Sequence, residues 1–275
     1  ELGLMYEAGT AVDSPASTLG VVNMVEATRW FGKAAEQGVP RAQYEMAVAC
    51  AEGTGGVPQD DYVAVQWLRK SAAQGNDSAQ YALGVTYDEG KFVDQDADVA
   101  QDWYEKAAAQ GNTKAMFNLG TNYLEGSPGR VPNAALAIEW FRQAAELGYA
   151  EAQFNMGIMH ADGQGVEQSF EKALEWTLKA AEQGLANAQC NVGCMYAEGH
   201  GAKQDLSIAL RWFHRASQQG HTQAQEATKH ADGRCRSARA GHCSHPTSGW
   251  PCGSSGGHEE SPCRAAAARR SLPTA

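Results

Sequence analysis

Tryptophan recurs along this chain at Trp30, Trp67, Trp103, Trp140, Trp176 and Trp212, at spacings of 37, 36, 37, 36 and 36 residues. Self-similarity at such a period means that each unit is one supersecondary element. It cannot bury its apolar face alone and stacks on its neighbours. The stretch from Trp140 to Gln153, WFRQAAELGYAEAQ, is the clearest copy, and near-copies run through the chain. The period therefore predicts a solenoid, in which length counts repeats and does not enlarge a single core.

Columns through the six copies give the local structure. Three residues before each Trp stands Ala27, Ala64, Ala100, Ala137, Ala173 or Ala209, and four after it Ala34, Ser71, Ala107, Ala144, Ala180 or Ala216. These positions share one helical face, so the Trp-bearing helix, helix B, presents a large ring flanked by small side chains. Eight after each Trp is a glycine, Gly38 to Gly220, where a left-handed residue ends the helix. Seven before it is Asn23, Asp60, Asp96, Asn133, Ser169 or Asp205, a column of N-caps. A second helix, helix A, begins near Ala42, Ala79, Ala115, Ala152, Ala188 and Ala224. Its interior glycine (Gly84, Gly120, Gly157, Gly193) costs about 1 kcal/mol relative to alanine, which predicts that a Trp or a helix backbone packs directly on it.

Residues 1–9 match the second half of a helix A whose first turn is absent, and Glu1 stands where Met is expected, so the sequence reads as a fragment. Thr10 to Val22 reads as an insertion that loops out from one face. Residues 1–232, the repeat solenoid, hold 16 Lys+Arg against 30 Asp+Glu; residues 233–275 hold 6 Arg against 2 Glu. The acidic body repels phosphate backbones, which argues against nucleic acid, and no apolar run is long enough to span a membrane. From Gly233 onward Leu272 is the one aliphatic residue, so this low-complexity tail is expected to be disordered, or else to stem from a shifted reading frame.

The recurring pattern Ala-x-x-Trp-x-x-x-Ala-Ala-x-x-Gly-x-x-x-Ala-x-x-x-Leu-Gly-x-x-Tyr-x-x-Gly resembles the Sel-1-like repeat, a relative of the tetratricopeptide repeat (TPR), over residues 1 to about 225. The resemblance implies an all-α fold, an α/α superhelical solenoid of TPR-like helix pairs with a concave, partner-binding face. It also implies an adaptor or scaffold in protein complexes, with no shared catalytic residues and no cofactor. Some cysteine-rich members carry a β-lactamase label, which makes a hydrolase the alternative. This chain lacks their cysteine column.

Several residue sets imitate chemistry. Asp94, Asp96, Asp98 and Glu105 fall at EF-hand loop positions, but Val99 replaces the required glycine and Asp96 belongs to the N-cap column. Ser169-Phe170-Glu171-Lys172 fits the Ser-x-x-Lys of penicillin-recognising enzymes without its companion motifs. Cys190 and Cys194 stand in mainly apolar columns and His160 in the Tyr column, so both read as packing residues. Cys235, Cys243, Cys252 and Cys263 with three tail histidines form no zinc-ligand spacing. No metal is expected.

One column is polar without an evident structural need. It comprises Glu45, Asn118, Asn155 and Asn191 of helix A, with Ala82 the exception. Seven residues further on lies an acidic column, Glu52, Glu89, Glu125, Asp162 and Glu198, which opposes the helix macrodipole by about 0.3–1 kcal/mol. Loop hydrogen bonding accounts for the acids. The asparagines either join helices or form a ladder that grips the backbone of an extended peptide. The candidate partner-binding residues are thus Glu45, Asn118, Asn155, Asn191, Glu89 and Glu125, and the negative body favours a basic protein or peptide.

Overall fold

The computed structural model describes residues 19–126 and 131–229. Among them are eleven helices with bounded ends and no strand. They are α1 (Leu19–Glu36), α2 (Pro40–Glu52), α3 (Asp61–Ala73), α4 (Asp77–Glu89), α5 (Ala97–Ala108), α6 (Thr113–Glu125), α7 (Ala134–Glu146), α8 (Ala150–Asp162), α9 (Phe170–Glu182), α10 (Ala186–Glu198) and α11 (Leu206–Gln218). Residues 222–229 are also helical. The even-numbered helices are helix A of each pair and the odd-numbered ones helix B. The chain forms two compact units, Glu1–Leu119 and Gly120–Ala275, divided within α6. In the first, α1 to α5 pack consecutively, and in the second α7 to α11 do so.

The N-cap column is realised in five helices. Asp60 accepts from Val63 N, Asp96 from Asp98 N and Val99 N, Asn133 from Leu136 N, Ser169 from Lys172 N, and Asp205 from Ser207 N and Ile208 N. Each satisfies first-turn donors that have no intrahelical acceptor. Asn23 does not follow the column: α1 begins at Leu19, so Asn23 lies inside the helix, and residues 19–22 are helical instead of looping out. The rest of the expected insertion, the truncated first helix and the tail after 233 lie outside the described residues.

The helices A begin two residues before the alanines that the pattern marks. Asn76 and Asn112 cap two of them, accepting from Ala79 N at 2.8 Å and Ala115 N at 3.0 Å. Val39, Tyr149 and Leu185 occupy the same position with no side-chain capping bond. At the other end of helix B the glycine column is left-handed, as at Gly75 (φ 88°) and Gly148 (φ 92°).

The small columns are buried for the expected reason. Ala100, Ala107, Ala137, Ala144, Ala173 and Ala180 are fully enclosed. Ser71, the one departure, donates its hydroxyl to Pro40 O at 2.6 Å. The partner of the helix A glycine is not the tryptophan but the residue after it. A Cβ on Gly84 would lie 2.4 Å from Tyr104 Cδ1, on Gly120 2.7 Å from Phe141, on Gly157 2.2 Å from Thr177 Oγ1, and on Gly193 2.6 Å from Phe213. One step along a helix turns the side chain by about 100°. The residue after Trp therefore points into helix A, and the indole is left half-exposed.

Candidate partner-binding site

In the first unit the polar positions of helix A are engaged. Glu45 on α2 is half-buried and pairs with Arg41 at 3.9 Å. Glu89, the last residue of α4, pairs with Lys91 at 3.3 Å. Asn118 on α6 is buried and donates from Nδ2 to the Tyr104 hydroxyl at 3.1 Å, which in turn donates to Asp88 Oδ2 at 3.1 Å. Burial, and after it the Asp88 charge, drives the Tyr104 phenol well above its ordinary value, so it stays a donor. Tyr81 lies alongside, its ring centroid 6.0 Å from that of Tyr104.

The second unit differs. Asn155 on α8 is 7% exposed, and its amide has no hydrogen-bond partner among the described residues. Asn191, at the same place on α10, is half-buried and likewise unpartnered. Glu125 at the end of α6 is exposed without a partner among the described residues. Glu198 ends α10 and pairs with His200 Nδ1 at 3.2 Å; burial raises its pKa, and the His200 charge works the other way. The candidate residues thus fall into two groups: Glu45, Glu89 and Asn118 are tied to neighbours, while Asn155, Asn191 and Glu125 present unpaired polar atoms.

The other candidates resolve locally. Asp96 caps α5, and Glu105 lies inside that helix accepting from Gln101 at 2.7 Å, so this segment is not a calcium loop. Among the described residues no three metal-binding side chains come together. Ser169 caps α9 and donates to Glu171 at 3.0 Å. Cys190 takes part in no disulfide whereas Cys194 is disulfide-bonded, so the two are not bonded to each other, and both lie in the apolar cluster around Phe213. His160 is buried, and its Nδ1 meets no acceptor or donor. The tail cysteines lie outside the described residues.

Two recurrent sets escape the sequence reading although their spacing is on view. Thirteen after the Trp, Gln43, Gln80, Gln153, Gln189 and Gln225 each donate to the carbonyl eight residues back, at 3.1–3.4 Å. The first four of these also accept from Gln74, Gln110, Gln183 and Gln219 of the next helix B at 2.8–2.9 Å. This glutamine relay joins neighbouring pairs. Three after the Trp, a lysine or arginine lies over the indole in five units, a contact worth about 0.5–1 kcal/mol at exposed sites.

The sequence profile of the Sel1 repeat matches residues 1–39, 40–76, 77–112, 113–149, 150–185 and 186–221. The crystal structure of a protective antigen present in uropathogenic Escherichia coli strains, displaying an SLR fold, is 34% identical with a TM-score of 0.73. The match covers 83% of this chain and 47% of that one, so the chain spans about half the length of that relative. A Sel1 repeat protein from Oxalobacter formigenes is 32% identical with a TM-score of 0.71, over 78% of this chain and 84% of that one. No curated protein sequence matches significantly. Among the described residues no helix is long and apolar enough to cross a membrane.

Proposed function

The chain belongs to the Sel1 repeat family, whose solenoid of helix pairs is generally a protein-interaction scaffold, and on that premise we propose that it is a non-enzymatic adaptor that binds a peptide or protein on its helix A side. Asn155 and Asn191 make the principal contacts. The observation that carries this reading is Asn155, 7% exposed as a residue and with an amide that makes no hydrogen bond among the described residues. Its amide atoms are not among the described polar atoms sealed from solvent without a partner, so a ligand there takes the place of water. An extended peptide supplies both a carbonyl and an N–H, and bonds both ends of the amide. Asn191 recurs 36 residues on and offers the same pair of groups to a further stretch of the ligand. Asn118 is spent on Tyr104 and contributes less.

Charge sets the kind of ligand. A formal net charge of −10 favours a basic partner, disfavours nucleic acid and accelerates encounter at low salt. Ser169 argues against the hydrolase alternative, because its oxygen caps α9 and its hydroxyl is given to the exposed Glu171 carboxylate, with no lysine or histidine side chain bonded to it among the described residues. Ser169→Ala should lower stability by about 1 kcal/mol and alter no β-lactam turnover.

The test uses the full chain against a displayed random peptide library, with selected peptides remeasured on Asn155→Ala/Asn191→Ala and on Asn118→Ala. Affinity is expected to fall by at least about tenfold in the double variant, at unchanged circular dichroism and melting temperature, and little in Asn118→Ala. Equal affinity for wild type and double variant would place binding elsewhere and overturn the assignment.

A further inference from the structure

Every repeat but one covers its own indole with a cation. Lys33, Lys70, Lys106, Lys179 and Arg215, three residues after their tryptophans, hold their charges 4.0–4.7 Å from the ring centroids. At Trp140 the third residue is Gln143, and no cation lies over the ring among the described residues. Arg142, next to it, is drawn away into ion pairs with Glu139 and, at 3.3 Å, Glu146.

The same helix departs from the pattern twice more. Leu136, four residues before Trp140, is 43% exposed, and Leu147, seven after it, is 60% exposed. The second of these positions is glutamine in the other five units, and four of those glutamines belong to the relay. Positions i, i+4 and i+7 lie on one helical face, so Leu136, Trp140 and Gln143 form a row on α7 that Leu147, its C-cap residue, extends. Exposed leucines met singly are ordinary; two of them bracketing an uncapped, half-exposed indole are not.

We propose that this face of α7 is a docking surface separate from the asparagines, and that the Trp140 indole takes the lysine or arginine side chain of a partner segment. That cation sits where the other repeats place one of their own. The five internal pairs show what this seat accepts, since the same ring in the same register holds an ammonium in four units and a guanidinium in the fifth. Indole is the best aromatic acceptor for a cation. Leu136 and Leu147 ask for aliphatic residues on either side of it. The partner is therefore a basic segment with apolar flanks, in keeping with the net charge of −10.

The experiment follows the indole N–H resonances of the 15N-labelled full chain during titration with N-acetyl-arginine amide, with N-acetyl-glutamine amide as the neutral control. Trp140→Phe assigns the resonance. The Trp140 signal is expected to shift saturably with the cationic probe while those of the other tryptophans stay in place. Gln143→Lys restores the cation found in four other units, so it should fold normally and weaken the probe by about fivefold or more through competition for the ring. Asn155→Ala/Asn191→Ala should leave the titration unchanged, which separates this surface from the helix A site. An absent shift, equal shifts from the neutral amide, shifts spread over all indoles, or indifference to Gln143→Lys would each overturn the proposal.

Discussion

The Tyr104 hydroxyl donates to Asp88 Oδ2 at 3.1 Å inside the first unit, and both side chains are buried. Each is unusual for its column, where the other units carry Ala51, Leu124, Ala161 and Ala197 in place of Asp88, and Phe31, Leu68, Phe141, Thr177 and Phe213 in place of Tyr104. The two polar residues therefore answer each other. Tyr104→Phe removes a donor from an enclosed carboxylate and should destabilise by about 1–3 kcal/mol in urea denaturation. Adding Asp88→Ala reproduces the Ala197 and Phe213 combination of the last unit and should recover part of that loss. A double variant no more stable than Tyr104→Phe alone would show that the two groups are not coupled.

Gly193 sets the distance between α10 and α11, since a Cβ there would stand 2.6 Å from Phe213. Gly193→Ala overpacks this contact and should cost about 1–3 kcal/mol. The first unit contains its own suppressor of such a change: Ala47 and Leu68 hold these two columns and lie buried in one cluster. Gly193→Ala with Phe213→Leu should therefore melt above Gly193→Ala alone. If the second change adds to the damage, the aromatic ring is not what the glycine accommodates.

Much of this was legible because each side chain in a repeat is written several times. The period, the Asp/Asn/Ser caps and the left-handed glycines follow from single residues acting on their own backbone, so the columns state them directly. Partner identity is less legible. The interior glycine signalled a close approach, but Trp140 and Phe141 both stand within reach of it in sequence, and only helical phase assigns the contact to Phe141. Asn23 occupies the cap column but lies inside α1, because a cap needs an extended residue and helix starts upstream of it. The asparagine column looked uniform, yet Tyr104 is the one hydroxyl-bearing ring in its column and engages Asn118 alone. The glutamine relay was spelled out in the columns but joins residues 30 or 31 apart, a separation that no helical periodicity brings to notice.

Within that relay Gln153 donates to Ala145 O at 3.1 Å and accepts from Gln183 at 2.8 Å. Each of the two columns also holds an apolar residue once, Met116 in one and Leu147 in the other. Gln153→Met leaves the Ala145 carbonyl and the Gln183 amide short of partners, for a loss of about 1–2 kcal/mol. Gln153→Met with Gln183→Leu removes both members of the pair together and should cost less than the sum of the two single changes, read from a thermodynamic cycle. Strict additivity would reduce the relay to independent bonds.

His160 makes stability depend on pH. Burial, and next the Lys172 charge, hold its pKa below the ordinary 6.5, against weaker pulls from the Glu167 backbone and Glu175. In the unfolded chain the imidazole protonates near pH ~6.5. The unfolded state thus binds more protons than the native state between that value and the lower native pKa. Stability is at its full level above about pH 6.5 and is lost as the pH falls through this window. The buried Nδ1 has no partner, so a proton there would gain no acceptor to offset its burial. His160→Tyr, the residue found at Tyr87, Tyr123 and Tyr196, removes this titration. Urea midpoints at pH 7.5 and 5.5 should therefore differ less in the variant than in the parent. Some slope remains, because burial also lowers the pKa of His221. The same difference in both proteins would mean that His160 takes up its proton in the native state as readily as in the unfolded chain.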